Sequence, residues 1–225
     1  MTNIIISYDD TDNDRDALAL GRVLGAAGAN ISLAYVRHAE GSDVRETREA
    51  EELLERGARS IGVPDAPRHV VINASTGAGL AELAEQQRAD VVVFGSDYRT
   101  APGAVSRGNS AQRLLHGGPA AVAIAPADLR SRGSFEIKRI GVLSEGDQAA
   151  EDTARSLAEA LGASVVEPGN GPVDLLIVGS RTEAEVGRVT LSATAEYAIE
   201  TASSPVLVLP RGVAIRFGTP ALAGV

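Results

Sequence analysis

The chain has no cysteine, no tryptophan, one methionine and only 3% aromatic residues. With no thiol present, disulfides, thiolate metal sites and a cysteine nucleophile are all excluded. Basic residues are outnumbered, 21 against 30 acidic, for a formal net charge of −9 and a pI near 4.9. Affinity for nucleic acid rests on clustered Lys and Arg, so no nucleic-acid partner is expected, and the acidity reads as solubility. No apolar run approaches membrane-spanning length, and Met1-Thr2-Asn3-Ile4 opens the chain without a basic or signal-like stretch. A soluble, cytoplasmic protein with no membrane partner is expected.

The 44% of residues that are apolar must build their cores from Val, Ile, Leu and Ala, which suits buried parallel strands under Ala-rich helices. The dominant feature is a repeat. Asp90-Val-Val-Val-Phe-Gly95-Ser96 returns 84 positions later as Asp174-Leu-Leu-Ile-Val-Gly179-Ser180. Ala121-Val-Ala-Ile-Ala-Pro126 returns at the same offset as Pro205-Val-Leu-Val-Leu-Pro210. A duplication of this kind predicts two supersecondary units, each folding against a sheet of its own. Near the start of each copy, however, Asp9 aligns with Glu145 at an offset of 136. The second copy therefore lacks 52 residues, the difference between the two offsets. We expect a complete domain over residues 1–128 and a truncated one over 129–225, with 127–136 as linker.

In the first copy, apolar runs at 4–8, 31–36, 68–73, 90–94 and 121–125 read as strands. They alternate with helical patterns near 14–27, 44–61, 78–87 and 110–116, the mark of a doubly wound parallel sheet. The second copy shows strands near 139–144 and 163–166 and a helix carrying Ala154, Leu157, Ala158 and Leu161. The missing stretch corresponds to one helix–strand–helix module. Ala214-Ile-Arg-Phe217, in the tail from Gly212, fits no clear element.

Gly95-Ser96-Asp97-Tyr98 is followed after nine residues by Gly108-Asn109-Ser110 and a helix. A glycine leaving a strand and another opening a helix can cradle phosphate on backbone N–H groups. Glycine after a parallel strand also has a purely steric explanation, and the spacing alone leaves both open. Asp9, Asp10, Asp12 and Asp14 cluster after the first strand, where a phosphotransfer enzyme would place a nucleophile and a Mg²⁺ ligand. Helix capping and dipole compensation explain them more simply. His38, His69 and His116 are scattered, without metal-ligand spacing, and Ser96 and Ser180 lie outside a nucleophile elbow. No catalytic or metal residue is assigned, and nothing reads as an enzyme.

Ile4-Ile-Ile-Ser7-Tyr-Asp9-Asp-Thr11, Ala34-Tyr35-Val36, Asp90-Val-Val-Val-Phe94-Gly95-Ser96 and Gly108-Asn-Ser-Ala-Gln-Arg-Leu-Leu-His116 together resemble the universal stress protein family. The resemblance covers residues 1–126 and, shortened, 137–210. It implies α/β doubly wound sheets of the adenine nucleotide alpha hydrolase-like kind, with two tandem repeats packed as a pseudo-dimer through Ala121–Ala125 and Val206–Leu209. The nucleotide-binding branch of that family carries Gly, two residues, Gly, nine residues, then Gly and Ser or Thr. By resemblance, Ser7 and Asp9 belong to the nucleotide site, with Asp9, after the first strand, contacting the nucleoside. Val36 contacts adenine, Phe94 and Gly95 form the floor, and Gly108, Asn109 and Ser110 hold phosphate. Tyr98 stands where the second glycine belongs, to block phosphate or stack on a ligand, and Asn109 replaces the usual Ser or Thr. The second copy reads Gly179-Ser-Arg-Thr182, nine residues, then Ser192, with Glu145 for Asp9, and is expected to bind nothing.

Three functional readings follow. The first is a stress-response protein holding ATP or AMP in its first domain, with a degenerate phosphate loop. The second is a ligand-free interaction module, in which Tyr98 should fill the former phosphate pocket and chains could form a homo-oligomer. The third is a Mg-dependent phosphatase at the acidic turn.

Overall fold

The computed structural model describes residues 1–38, 44–167 and 171–218. The Gly-, Ser- and Asp-containing loop at 39–43 and the last part of the tail lie outside the described residues. In chain order the elements are β1 (Asn3–Ser7), α1 (Asp12–Ala26), β2 (Asn30–Arg37), α2 (Val44–Ser60), β3 (Arg68–Ile72), α3 (Thr76–Gln87), β4 (Val91–Gly95), α4 (Asn109–Leu115) and β5 (Ala121–Ala125). A 3-10 turn, Leu129–Arg132, leads to β6 (Arg139–Leu143), α5 (Gln148–Leu161), β7 (Ser164–Val166), β8 (Leu175–Val178), α6 (Ala193–Glu200) and β9 (Val206–Val208).

Local chemistry sets the boundaries. Thr11 caps α1 in a capping box with Asp14, and Gly28, at φ +88°, turns the chain away after Ala27. Asp147 caps α5, and Gly162 ends it in the left-handed region at φ +66°.

The nine strands among the described residues join one sheet in the order β3-β2-β1-β4-β5-β9-β8-β6-β7. The expectation of a separate sheet for each copy is thereby corrected. Every pairing is parallel except β5 with β9, which is antiparallel with Val122 opposite Val208 and Ile124 opposite Val206. Those are the two strands expected to lie side by side. Strand order runs outward from this seam as β4-β1-β2-β3 on one side and β8-β6-β7 on the other. Among the described residues nothing in the second copy corresponds to α2, β3 and α3, so the missing 52 residues are an edge module of the sheet.

Two apolar layers cover the sheet, and neither respects the boundary between copies. Ile4, Ile6, Leu20, Leu54, Leu157, Ile177 and Leu207 lie in the layer under α1, α2 and α5. Ile5, Leu80, Phe94, Leu114, Val122, Ile199 and Val206 lie in the layer under α3, α4 and α6. Ile4 and Ile6 face one side and Ile5 the other, the two-residue period of a strand buried on both faces.

The copies also match in hydrogen bonding. Asp90 Oδ2 accepts the Asn3 N–H at 2.8 Å, and Asp174 Oδ2 accepts those of Lys138 and Arg139 at 2.9 and 2.8 Å. Each repeat-opening aspartate thus ties its strand to the start of the first strand of its own copy.

Residues 127–136 are not a free linker. Leu129 is fully buried, and the turn is fastened to α1 through Asp16, which accepts N–H bonds from Asp128 at 2.8 Å and Arg130 at 2.9 Å. The tail does the same for the second copy. Gly212 N–H donates to Asp147 at 2.8 Å, Ile215 N–H to Thr153 Oγ1 at 2.9 Å, and Phe217 N–H to Ser156 Oγ at 2.9 Å. Asp128 and Gly212, 84 positions apart, both take positive φ, 66° and 68°. Ile215 and Phe217 are buried, and Thr2 Oγ1 donates to the Arg216 carbonyl at 2.5 Å, so the tail straps the second copy to the first strand of the chain.

Candidate functional site

In an open parallel sheet, ligands bind beyond the carboxyl ends of the strands, where successive connections leave in opposite directions. In the first copy that switch lies between β1 and β4; Asp9 lies in the turn after β1, and Gly95 ends β4. Ser7 closes β1 in register with Ala34. Val36 and Phe94 are buried in the apolar layer beneath α3 and α4. Phe94 is a core side chain, because its strand position points it into that layer.

Asp9 is exposed and belongs to a carboxylate pair with Asp14. Asp14 Oδ2 accepts from the Asp9 N–H at 3.2 Å, the Thr11 N–H at 3.2 Å and the Thr11 hydroxyl at 2.5 Å. Burial, then the hydrogen bond and charge of Asp9, push the Asp14 carboxyl up to about 8. Asp10 turns the other way, at φ 67°, and accepts from the Tyr8 hydroxyl at 2.7 Å and Arg15 at 3.2 Å. These bonds hold Asp10 below the usual carboxylate range, while burial and Asp10 push Tyr8 up to about 12. Among the described residues no group of three or more His, Asp or Glu is placed to hold a metal ion. The acidic turn is a capping and ion-pair network that engages Asp10, Asp12 and Asp14, while exposed Asp9 accepts the Thr11 N–H at 3.3 Å through Oδ1.

The glycines of the loop divide into two kinds. A Cβ on Gly95 would lie 1.9 Å from the Asn13 carbonyl oxygen, so α1 can start against β4 only if this residue is glycine. Gly179 is constrained likewise, its Cβ falling 2.5 Å from the Ser144 carbonyl oxygen. Packing accounts for the glycine that both copies keep. Gly108 differs: its φ is −62° and, its chain neighbours aside, no atom lies within 4 Å of a Cβ placed there. Neither backbone strain nor packing requires glycine at this position.

Gly108 occupies the N-cap of α4 and gives no side-chain cap. Its counterpart 84 residues on is Ser192, whose hydroxyl caps α6 by accepting the Ala195 N–H at 3.0 Å. Asn109 is exposed, and the Ser110 carbonyl packs against Gly77 at the start of α3, where a Cβ would lie 2.9 Å from it. An open groove of about 600 Å³ runs between α3 and α4, lined in part by Asn109, Arg113, His116, Glu82 and Arg188. Of the predicted residues, only Asn109 lines it.

Tyr98 does not enter the loop. It is 71% exposed, with the Arg99 guanidinium 4.9 Å from its ring centroid and Arg99 Nε donating to its hydroxyl at 2.7 Å. The pocket-filling role required by the ligand-free reading is therefore not what the residue does, and the region vacated by the second glycine is not blocked by its phenol.

Three features escaped sequence reasoning. Ser96 is buried; its hydroxyl donates to the Ala125 carbonyl at 2.7 Å and accepts the Ser106 N–H at 3.1 Å. Ser180 repeats this with Leu209 at 2.7 Å and Thr190 at 3.0 Å. Both serines latch the loop to the end of the neighbouring strand, and their shared place after the repeated glycine was the available signal. The loops also cross the seam: the Val105 N–H donates to the Ala202 carbonyl at 3.2 Å, and the Val189 N–H to the Gly118 carbonyl at 3.3 Å. Finally Arg107, immediately before Gly108, reaches α6 and pairs with Glu200 at 2.5 Å and Glu196 at 3.5 Å.

The architecture is an α/β fold with one mostly parallel sheet. A model of the Universal stress protein family matches residues 1–126, more than half of the chain, and the protein belongs to that family. No curated protein sequence matches. Among solved structures, a universal stress protein from Archaeoglobus fulgidus is 17% identical, with a TM-score of 0.68 over 93% of this chain and 98% of its own. A protein of unknown function from Pseudomonas aeruginosa is 12% identical, with a TM-score of 0.61 over 94% of this chain and 93% of its own. A universal stress protein family protein from Arabidopsis thaliana with AMP bound is 13% identical, with a TM-score of 0.38 over 60% of this chain and 97% of its own. For the first two, at these identities, the likeness is one of fold. No helix among the described residues is long and apolar enough to cross a membrane.

Proposed function

We propose that this universal stress protein binds one adenine nucleotide, ATP or AMP, in its first repeat, and that the second repeat is a structural partner joined to it as an internal pseudo-dimer. The two domains divide near residue 128. The observation that carries the reading is the contrast between Gly108 and Ser192. At matched positions one copy caps its own helix with a serine hydroxyl, while the other keeps a bare glycine that neither packing nor φ demands. Leaving that cap open suits a site in which a ligand oxygen takes the place of the serine hydroxyl.

Asp9, exposed at the end of β1, is suited to accept hydrogen bonds from ribose hydroxyls. The buried side chains of Val36 and Phe94 leave these residues a part in the floor and in main-chain contacts. Asn109 and Ser110 belong to the phosphate end, and exposed Tyr98 to its rim. The pseudo-dimer draws support from the β5–β9 seam and from the reciprocal bonds of Val105 and Val189 across it.

Calorimetry with ATP, ADP and AMP, combined with analysis of nucleotide released on denaturing the purified protein, tests the reading. Binding of one nucleotide per chain supports it. No binding at millimolar ligand and no released nucleotide would reject it in favour of the ligand-free module.

A further inference from the structure

Arg107 occupies an unusual place. Its counterpart in the second copy, 84 residues on, is Leu191, which packs partly buried against the apolar layer. A position that takes leucine in one copy thus carries a guanidinium in the other, and that side chain is only 13% exposed. A cation taken so far from water needs partners. It finds them in the other copy, with Nη2 2.5 Å from Glu200 and Nη1 3.5 Å from Glu196, one turn apart on α6. The matched positions of the first copy, Gln112 on α4 and His116 just past it, are not carboxylates, so this ion pair has no counterpart at the matched residues, although Arg188 of the second copy pairs elsewhere with Glu85 of the first at 3.4 Å. Satisfaction is also incomplete: Nη1 is buried yet makes no hydrogen bond.

We infer that Arg107 is a phosphate-binding cation of the first-repeat loop, held in reserve by Glu196 and Glu200 of the second repeat, so that nucleotide and α6 compete for one guanidinium. The inference rests on the nucleotide reading above and adds its regulation. Arg107 is bonded directly to Gly108, so its side chain starts at the mouth of the open cap. The two carboxylates holding it are themselves about half exposed, 41% and 58%, and their grip is weakened by water and salt. A triphosphate offers a denser charge and bidentate geometry to the same planar donor. Binding would draw Arg107 off α6 and loosen one charged contact between the repeats, which makes the second repeat a reporter of occupancy.

The test compares ATP affinity by calorimetry in wild type, Arg107→Leu and the double variant Glu196→Gln with Glu200→Gln, with folding checked by thermal melts. Arg107→Leu installs the residue of the sister copy and is expected to weaken binding about tenfold, the scale of one charge-assisted hydrogen bond. The double variant breaks the same ion pairs but frees the cation, and is expected to tighten binding. These opposite signs separate a ligand cation from a bridge between repeats: a bridge alone predicts that both variants weaken binding or that neither changes it, and either result overturns the inference. If wild-type protein binds no nucleotide, the nucleotide reading fails and this inference falls with it. If wild type binds and the double variant does not tighten, only this inference fails.

Discussion

Asp16 and Arg130 form the most deeply buried ion pair described in the fold: the Asp16 side chain is fully buried, and Arg130 Nη1 lies 3.0 Å from its Oδ2. The same carboxylate accepts the N–H groups of Asp128 and Arg130, so one side chain on α1 fixes the entire turn leading out of the first repeat. A buried charge losing its partner is costly, whereas a satisfied one is roughly neutral. Asp16→Ala should therefore destabilise the protein by about 2–3 kcal/mol in denaturant titrations, by orphaning two backbone donors, while the part-exposed Arg130 keeps the Asp12 carbonyl at 3.0 Å. A loss under about 1 kcal/mol would show that the turn docks through Leu129 alone.

The serine latches predict equal effects in unequal copies. Ser96→Ala and Ser180→Ala each leave a buried carbonyl and an N–H without their hydroxyl partner, and each should cost about 1–3 kcal/mol. Both are measured by equilibrium unfolding. Loss confined to Ser96→Ala would mean that the second loop is held in some other way.

Gly95 and Gly108 should respond in opposite ways to a methyl group. Gly95→Ala drives a Cβ into the Asn13 carbonyl and should lower stability by about 1–3 kcal/mol or more. Gly108→Ala meets open space at an allowed φ and should leave the thermal midpoint nearly unchanged. Equal destabilisation would mean that Gly108 too is a packing glycine, removing the main support for a ligand there.

A pH dependence follows from Asp14. A carboxyl that holds its proton more tightly folded than unfolded stabilises the fold below its ordinary range near 3.8, and that contribution is lost as pH rises through about 8. Stability should thus fall from this source between about pH 4 and 8. Asp14→Asn, which cannot ionise, should flatten that part of the profile in thermal melts across the range. An unchanged slope would show that burial does not hold the proton on Asp14 in the folded state.

The sequence carried the repeat and its arithmetic well, because strand motifs such as Asp90–Ser96 and Asp174–Ser180 are local patterns and the two offsets locate the missing module between them. It did not separate Gly95 from Gly108. One is glycine because Asn13 crowds it and the other has open space beside it, and that difference depends on where α1 starts relative to β4. Asp16 was similarly hidden at the end of an acidic run that reads as helix capping, since its partners lie more than a hundred residues away. Arg107 and the tail at Ile215 and Phe217 escaped for the same reason: their partners lie across the seam or on α5, and no period or motif encodes such distances. Tyr98 shows the reverse case. It departs from the family pattern as read, yet its ring turns outward to Arg99 instead of closing the loop.

The most direct test of the account is nucleotide calorimetry on Gly108→Ser, which gives α4 the cap that Ser192 gives α6. The account predicts a folded protein with stability unchanged or raised by a few tenths of a kcal/mol, and loss of the single adenine nucleotide bound by wild type. Wild-type affinity in the variant, or a wild-type protein that binds no nucleotide at millimolar concentration, would contradict it.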